Sequence, residues 1–185
     1  MEPVKQLCSP ILVLDRADID TDQIIPARFL TTTSRAGLGA HAFADWRADP
    51  SNVLDDPRAA ECRVLVAGRN FGCGSSREHA VWALQGFGFR AVVSTSFAEI
   101  FAANAVKNGL VPVKIHHVLH ARLVSSPWSR VEVDVEALTL RHEGGAAVPF
   151  PLDPFARRSL LAGEDELDYL LAHTQAVARH ERSRS

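Results

Sequence analysis

The sequence predicts an α/β domain with a parallel sheet core, added hairpin strands and a C-terminal helix. Three observations carry this. Short apolar runs stand at Arg63 to Ala67 (RVLVA), Arg90 to Ser94 (RAVVS) and Leu110 to Ile115, with the near-continuous aliphatic character of strands covered on both faces. Two stretches with helical spacing separate them, so the order is strand, helix, strand, helix, strand, which is that of a parallel core. After it, VEVDV (131–135) and LTLRH (138–142) alternate as hairpin strands do.

Taken in order, Ile11 to Leu14 (ILVL) reads as a buried strand, and the acidic stretch ADIDTDQIIP follows it. Residues 31–57 show no clean period and contain Gly37, Gly39, Pro50 and Pro57. So long a connection in a compact domain points to a mobile, functional loop. A linker between domains is disfavoured, because nothing before Thr31 is large enough to fold alone. A helix is expected to open at Ser75, where Ser75-x-x-Glu78 has capping-box spacing, and to run through Trp82 and Leu84 to Gly86 or Gly88. Ser96-x-x-Glu99 repeats the box before a helix carrying Phe97, Ile100, Phe101 and Ala105 on one face, closed by Lys107, Asn108 and Gly109. Glu143-Gly144-Gly145 turns the chain into AAVPF, and Asp153 before Pro154 starts a helix. In the final helix Leu167, Leu170, Leu171, Thr174 and Val177 share a face expected to pack on the core. The whole of 1–185 reads as a single domain, with about 180–185 as a disordered tail.

Bulk properties narrow the function. The chain of 185 residues is 46% apolar and 23% charged, as an ordinary globular protein is. A formal net charge of −2 offers nucleic acid or an acidic membrane no attraction. No stretch approaches the roughly 18–20 apolar residues that cross a bilayer. The start, MEPVKQLCSP, lacks a signal peptide's apolar run, so a cytoplasmic protein is expected. Cys8, Cys62 and Cys73 are far apart and form no CxxC pair, which points to neither a disulfide framework nor a metal clip.

The chemistry concentrates in Gly68 to Ala80 (GRNFGCGSSREHA), with three glycines in its first seven positions. Such a turn feeding a helix start directs unpaired backbone N–H groups and a partial positive charge at one point. Arg77 adds a fork that matches a carboxylate or phosphate, and Ser75 and Ser76 add hydroxyls. The pattern is not GxxxxGK[ST], GxGxxG or GxSxG. These residues describe an anion pocket with a candidate nucleophile or base, and equally an ordinary helix cap beside a packing turn.

FGCGSSREHA is very similar to the GSSREHA-bearing segment of the aconitase superfamily, and in its Phe-Gly-Cys form resembles the small subunits of bacterial isopropylmalate dehydratases. DIDTDQIIPARFL (18–30), GLGAHAFADWR (37–47), SFAEIFAANAVKNGLVPV (96–113) and the tail from Phe155 to Glu181 agree in order and spacing, so the likeness covers nearly the whole chain. The resemblance implies an aconitase-type swivelling β/β/α domain that closes over a [4Fe–4S] cluster held by a separate large subunit, this chain binding no cofactor itself. It implies a hydro-lyase that interconverts 2-isopropylmalate and 3-isopropylmalate in leucine biosynthesis, active only as a heterodimer or heterotetramer. Ser75 would then be the base that takes a proton from carbon, Ser76 and Arg77 would bind a substrate carboxylate, and Asp22 would orient. Arg35 corresponds in position to an arginine of the family's mobile specificity loop, though a solvated charge is the other reading.

The remaining candidates are weaker. Asp18, Asp20 and Asp22 alternate, but Gln23 and Phe29 occupy the positions where a calcium loop needs Gly and Glu. His79 is expected as a packing residue inside the helix, and His116, His117 and His120 as a surface turn without ligand spacing. Departures from the family pattern are TTTS (31–34) in place of a lysine-bearing stretch, Arg69 for an acidic residue, Val81 for proline, and the small Ala102 and Ala103. They leave open a substituted malate of the citraconate or homocitrate type. Two other classes stay open, a non-catalytic anion-binding module and a self-contained enzyme using Ser75. The second lacks an assignable histidine base.

Overall fold

The computed structural model describes residues 1–30, 34–49, 51–172 and 174. The expected α/β core is present, built on seven strands, β1 (Gln6–Leu14), β2 (Val64–Ala67), β3 (Ala91–Ser94), β4 (Val111–Lys114), β5 (Arg130–Asp134), β6 (Thr139–His142) and β7 (Ala147–Pro149). They form one sheet in the order β4-β3-β2-β1-β5-β6-β7. The last four residues of β1 run parallel to β2, from Ile11 beside Val64 to Leu14 beside Ala67, and β3 and β4 continue that parallel half. The first five pair antiparallel with β5, which opens the β5-β6-β7 meander. β1 is thus longer than the apolar run that announced it. Its first half, QLCSP, is polar and partly exposed, and hydropathy does not mark such a strand.

Side chains that alternate along the parallel strands feed two cores. Leu12, Leu14, Leu65, Ala67 and Val92 face one, together with α2 (Glu78–Phe87) and α3 (Glu99–Asn108). Ile11, Val64, Val66, Val93, Val111 and Val113 face the other, with Val131, Val133 and Leu140 of the meander, Leu123 of α4 (His117–Val124) and Leu160 of α5 (Pro154–Ala162). The aliphatic runs are unbroken because both sides of these strands are covered. Part of the long irregular segment joins the first core: 3₁₀ turns at Leu38–His41, Val53–Asp55 and Pro57–Glu61 bury Leu38, Leu54 and Ala59, and Phe43 is buried between them. Gly39 crosses Gly86 so closely that a Cβ there would stand 2.0 Å from the Gly86 carbonyl carbon.

Four local expectations are corrected. Ser75 caps nothing: α2 begins at Glu78 with Arg77 at the cap position and no side-chain bond. The second box also fails, since α3 begins at Glu99 with Ala98 at its cap. Ser96 Oγ instead accepts the Asn70 N–H at 2.8 Å, and the buried Ser94 hydroxyl donates to Gly68 O at 2.7 Å. In both cases the serine braces the glycine turn rather than the helix. His117, expected in a surface turn, opens α4, in which Leu119 and Leu123 lie one turn apart, and His120 Nε2 lies 2.7 Å from Ala67 O. Finally, Asp153 caps α5 as expected, accepting from Phe155 N and Ala156 N, but Gly163 in the left-handed region ends that helix. A separate α6 (Glu166–Ala172) follows, with Leu167, Leu170 and Leu171 at least half exposed rather than packed. α6 turns Tyr169 toward α5, against Phe155 and Arg158. Val177 lies outside the described residues.

Candidate functional site

The site forms where β2 ends and the chain turns into α2. Backbone pairing to residues 18–21 sets its shape: Gly72 N–H donates to Ile19 O at 2.7 Å and Thr21 N–H to Cys73 O at 2.9 Å. The buried Thr21 hydroxyl donates to Ser75 O at 3.0 Å, which pins the backbone of the residue expected to do chemistry. Asn70 Nδ2 donates to Asp18 at 2.9 Å, and Arg69 pairs with the same carboxylate at 3.3 Å. Asp20 caps α1 (Thr21–Ile24) through a capping box with Gln23. Of the three alternating aspartates, Asp18 and Asp20 are therefore absorbed in local structure.

Asp22 is aimed differently. Its carboxylate pairs with the Arg77 guanidinium across the junction of α1 and the turn, with Arg77 mostly covered and Asp22 half exposed. Gly74 at φ +89°, Ser75 and Ser76 lie exposed beside this pair. Neither serine hydroxyl has a hydrogen-bond partner among the described residues. The backbone N–H groups of Ser75, Ser76 and Arg77 likewise donate to no carbonyl among them. Two free hydroxyls, a held guanidinium and a set of free N–H donors at one exposed point can receive an anionic oxygen ligand.

The structure brings Ser75, Ser76, Arg77 and Asp22 together, and places Arg35 elsewhere. The Arg35 guanidinium rests 5.0 Å above the Trp82 ring on α2, a cation–π arrangement. His79 also packs against Trp82, with ring centroids 4.7 Å apart. Thr31 to Thr33, just before Arg35, lie outside the described residues. The bracing roles of Ser94 and Ser96, and Trp82 as the arginine's platform, escaped the sequence reading. The serines' spacing imitates a capping box, and a tryptophan at helical spacing reads as core.

Among the described residues no three His, Cys, Asp or Glu side chains are grouped to hold a metal. Cys8 is exposed, Cys62 buried and Cys73 between. Burial, and after it Glu61, pushes the Cys62 thiol up to about 11. Burial, then the charges of Asp20 and Asp18, raises that of Cys73. A raised thiol stays protonated near neutral pH, and the thiolate is the nucleophile. Cys73, although two residues from Ser75, is therefore expected to react slowly with iodoacetamide in the folded chain and fast after denaturation. Mass spectrometry of timed aliquots checks this, and rapid native labelling of Cys73 would contradict it.

Fold and site together define an α/β domain that offers an anion-receiving glycine turn on an open face. Residues 2–118 match the family model of the aconitase C-terminal domain. A 3-isopropylmalate dehydratase small subunit of Anaeromyxobacter dehalogenans is 53% identical, over all of both chains. That of Herpetosiphon aurantiacus is 47% identical over 99% of this chain and 95% of its own. The crystal structure of a 3-isopropylmalate dehydratase from Methanocaldococcus jannaschii, 30% identical, superposes with a TM-score of 0.72 over 95% of this chain and 99% of that one. The chain belongs to the family of 3-isopropylmalate dehydratase small subunits, within the aconitase superfamily.

Proposed function

We propose that the chain is the small subunit of a hydro-lyase that interconverts 2-isopropylmalate and 3-isopropylmalate in leucine biosynthesis, through dehydration to 2-isopropylmaleate and rehydration. The observation that carries this is the convergence of Ser75, Ser76, Arg77 and Asp22 on one exposed turn, in a chain similar end to end to such subunits. A large aconitase-like subunit supplies the rest of the site, including the [4Fe–4S] cluster, for which the described residues here provide no ligand set.

In this reading Ser75 Oγ, as an alkoxide, takes the proton from the substrate carbon that bears it. The C–H electron pair becomes the double bond, and the hydroxyl departs from the neighbouring carbon with the C–O pair. Readdition with the two positions exchanged gives the isomer, Ser75 returning its proton. An alkoxide is unfavourable in water, but Arg77 and the free N–H groups at the turn favour the anion. Ser76 and the unpaired edge of Arg77 bind a substrate carboxylate, and Asp22 holds the guanidinium in register. The loop from Ser34 to Gly37, with Arg35 on Trp82, is the described piece of the irregular segment that meets the substrate's variable group, since Leu38, Phe43, Leu54 and Ala59 after it anchor the chain in the core.

The test is to co-purify the chain with its large subunit and assay the pair on a panel of substituted malates. Turnover of 3-isopropylmalate above the citraconate- and homocitrate-type acids is expected, and preference for one of those would reassign the substrate. In the same assay Arg77→Lys keeps the charge and loses the fork. It is expected to raise KM by about tenfold or more, the worth of one charge-assisted hydrogen bond, with a smaller change in kcat. An unchanged KM would remove Arg77 from substrate binding.

A further inference from the structure

One buried residue holds α2 at three points along its length. Asn108, the last residue of α3, is 4% exposed. Its Oδ1 accepts the Trp82 indole N–H at 2.9 Å, and its Nδ2 donates to Glu78 Oε1 and to Asn104 O, both at 2.8 Å. Its backbone carbonyl accepts from Gln85 Nε2 at 2.7 Å. Glu78, Trp82 and Gln85 fall at i, i+4 and i+7, so the contacts run down one face of α2. Lys107 adds a longer ion pair to the second oxygen of Glu78, at 3.6 Å.

What α2 carries gives the clamp its meaning. Glu78 directly follows Arg77, and Trp82 supports Arg35. Arg35, Trp82, Gln85 and Asn108 line one cavity of about 270 Å³. A helix joined to its neighbour only by apolar contacts can roll or slide by fractions of an ångström at small cost, whereas directional bonds at three successive turns resist both motions. Four hydrogen-bonding groups of one buried residue, all satisfied, set such a register strongly, because any shift strands a buried polar atom.

We infer that Asn108 is a positioning residue for the dehydratase reaction. Through Glu78 and Trp82 it sets the roll and height of α2, and with them the position of the Arg77 fork at the start of that helix and of the Arg35 platform one turn on. The inference rests on the function proposed above. Asn108→Asp keeps shape and volume but replaces the Nδ2 donor with a carboxylate oxygen facing Glu78. Glu78→Gln in the same chain supplies an amide N–H to that oxygen and restores the Glu78 contact with the polarity reversed, while the bond to Asn104 O stays lost.

The experiment measures kcat and KM of wild type, Asn108→Asp, Trp82→Phe and the Glu78→Gln/Asn108→Asp double variant. Each is complexed with wild-type large subunit, at a temperature where thermal unfolding shows that chain fully folded. A misplacement of about 1 Å costs about 10²-fold, and with the register bonds to Glu78 and Asn104 lost kcat/KM of Asn108→Asp is expected to fall by up to that much. The double variant is expected to recover about tenfold of that loss, the worth of one restored buried hydrogen bond. Trp82→Phe keeps a six-membered ring beside Arg35 but loses the N–H to Asn108 and the other half of the indole, so its KM rises severalfold with a smaller change in kcat. Hydrogen exchange across residues 74–80 of the isolated chain is expected to quicken in Asn108→Asp and return in the double variant.

A folded Asn108→Asp complex with wild-type kcat and KM would overturn the inference, as would a double variant no better than the single. Should Asn108→Asp fail to fold, Trp82→Phe with unchanged KM would do the same. If the wild-type complex is inactive on 3-isopropylmalate, the functional reading fails instead, and the exchange measurement still decides whether Asn108 clamps the turn.

Discussion

Ser75→Ala is expected to lower kcat of the two-subunit enzyme by about 10²–10⁴-fold, the range for loss of a general base, and to leave the unfolding midpoint of the chain unchanged. The pairing of a large kinetic effect with none on stability follows from where the hydroxyl stands. Ser75 is exposed, and its Oγ has no partner among the described residues. The tie to Thr21 runs through its backbone carbonyl, which alanine retains. A capping serine would behave otherwise, since its loss costs roughly 0.5–2 kcal/mol, and the expectation from Ser75-x-x-Glu78 included that cost. With the cap position at Arg77, the cost disappears. Thermal unfolding of the isolated variant, beside kcat of its complex, separates the two. A fall in midpoint of the size of a lost cap would restore Ser75 to the helix. Near-normal kcat would move the base to the partner.

Gly72→Ala is expected to destabilise the chain by about 2–6 kcal/mol, the sum of left-handed backbone strain and an overpacked core. Gly72 sits at φ +76°, and a Cβ added there would lie 2.1 Å from Phe101 Cγ and 2.5 Å from Phe101 Cβ. Phe101 cannot retreat, being 2% exposed and packed edge-on against Phe71 with ring centroids 5.1 Å apart. Gly37→Ala is the control. It has a similar φ of +84° but nothing within 4 Å of an added Cβ, so it carries the backbone strain alone, about 1–3 kcal/mol. Chemical denaturation of both variants measures the difference. Equal midpoints would show that the Phe101 contact relaxes and that the turn tolerates a side chain.

The fold was legible where burial leaves a periodic trace. β2, β3 and β4 are aliphatic on both faces, and Asp153-Pro154 announces the start of α5. Less was legible where polar residues do structural work at a distance. Gln6 to Pro10 pair with β5 without an apolar signature, and Ser94 and Ser96 brace a turn more than twenty residues back. The α4 helix hid behind adjacent histidines, while the leucines of α6 advertised a packing face that the structure leaves exposed. For the candidate site, the motif drew attention to Ser75 to Arg77 but did not give the Asp22 pairing geometry. Arg35 was separated from the turn by the platform of Trp82, a contact that depends on the path of residues 34–43 over α2 and leaves no local pattern.

The most direct test of the central claim is a titration of this chain into a fixed amount of the purified large subunit, following 3-isopropylmalate dehydration under anaerobic conditions. No turnover is expected from either polypeptide alone, with activity that rises with added chain and saturates, and no rescue when the added chain carries Ser75→Ala. Turnover by the chain alone, or a saturating pair as active with Ser75→Ala as with wild type, would contradict it.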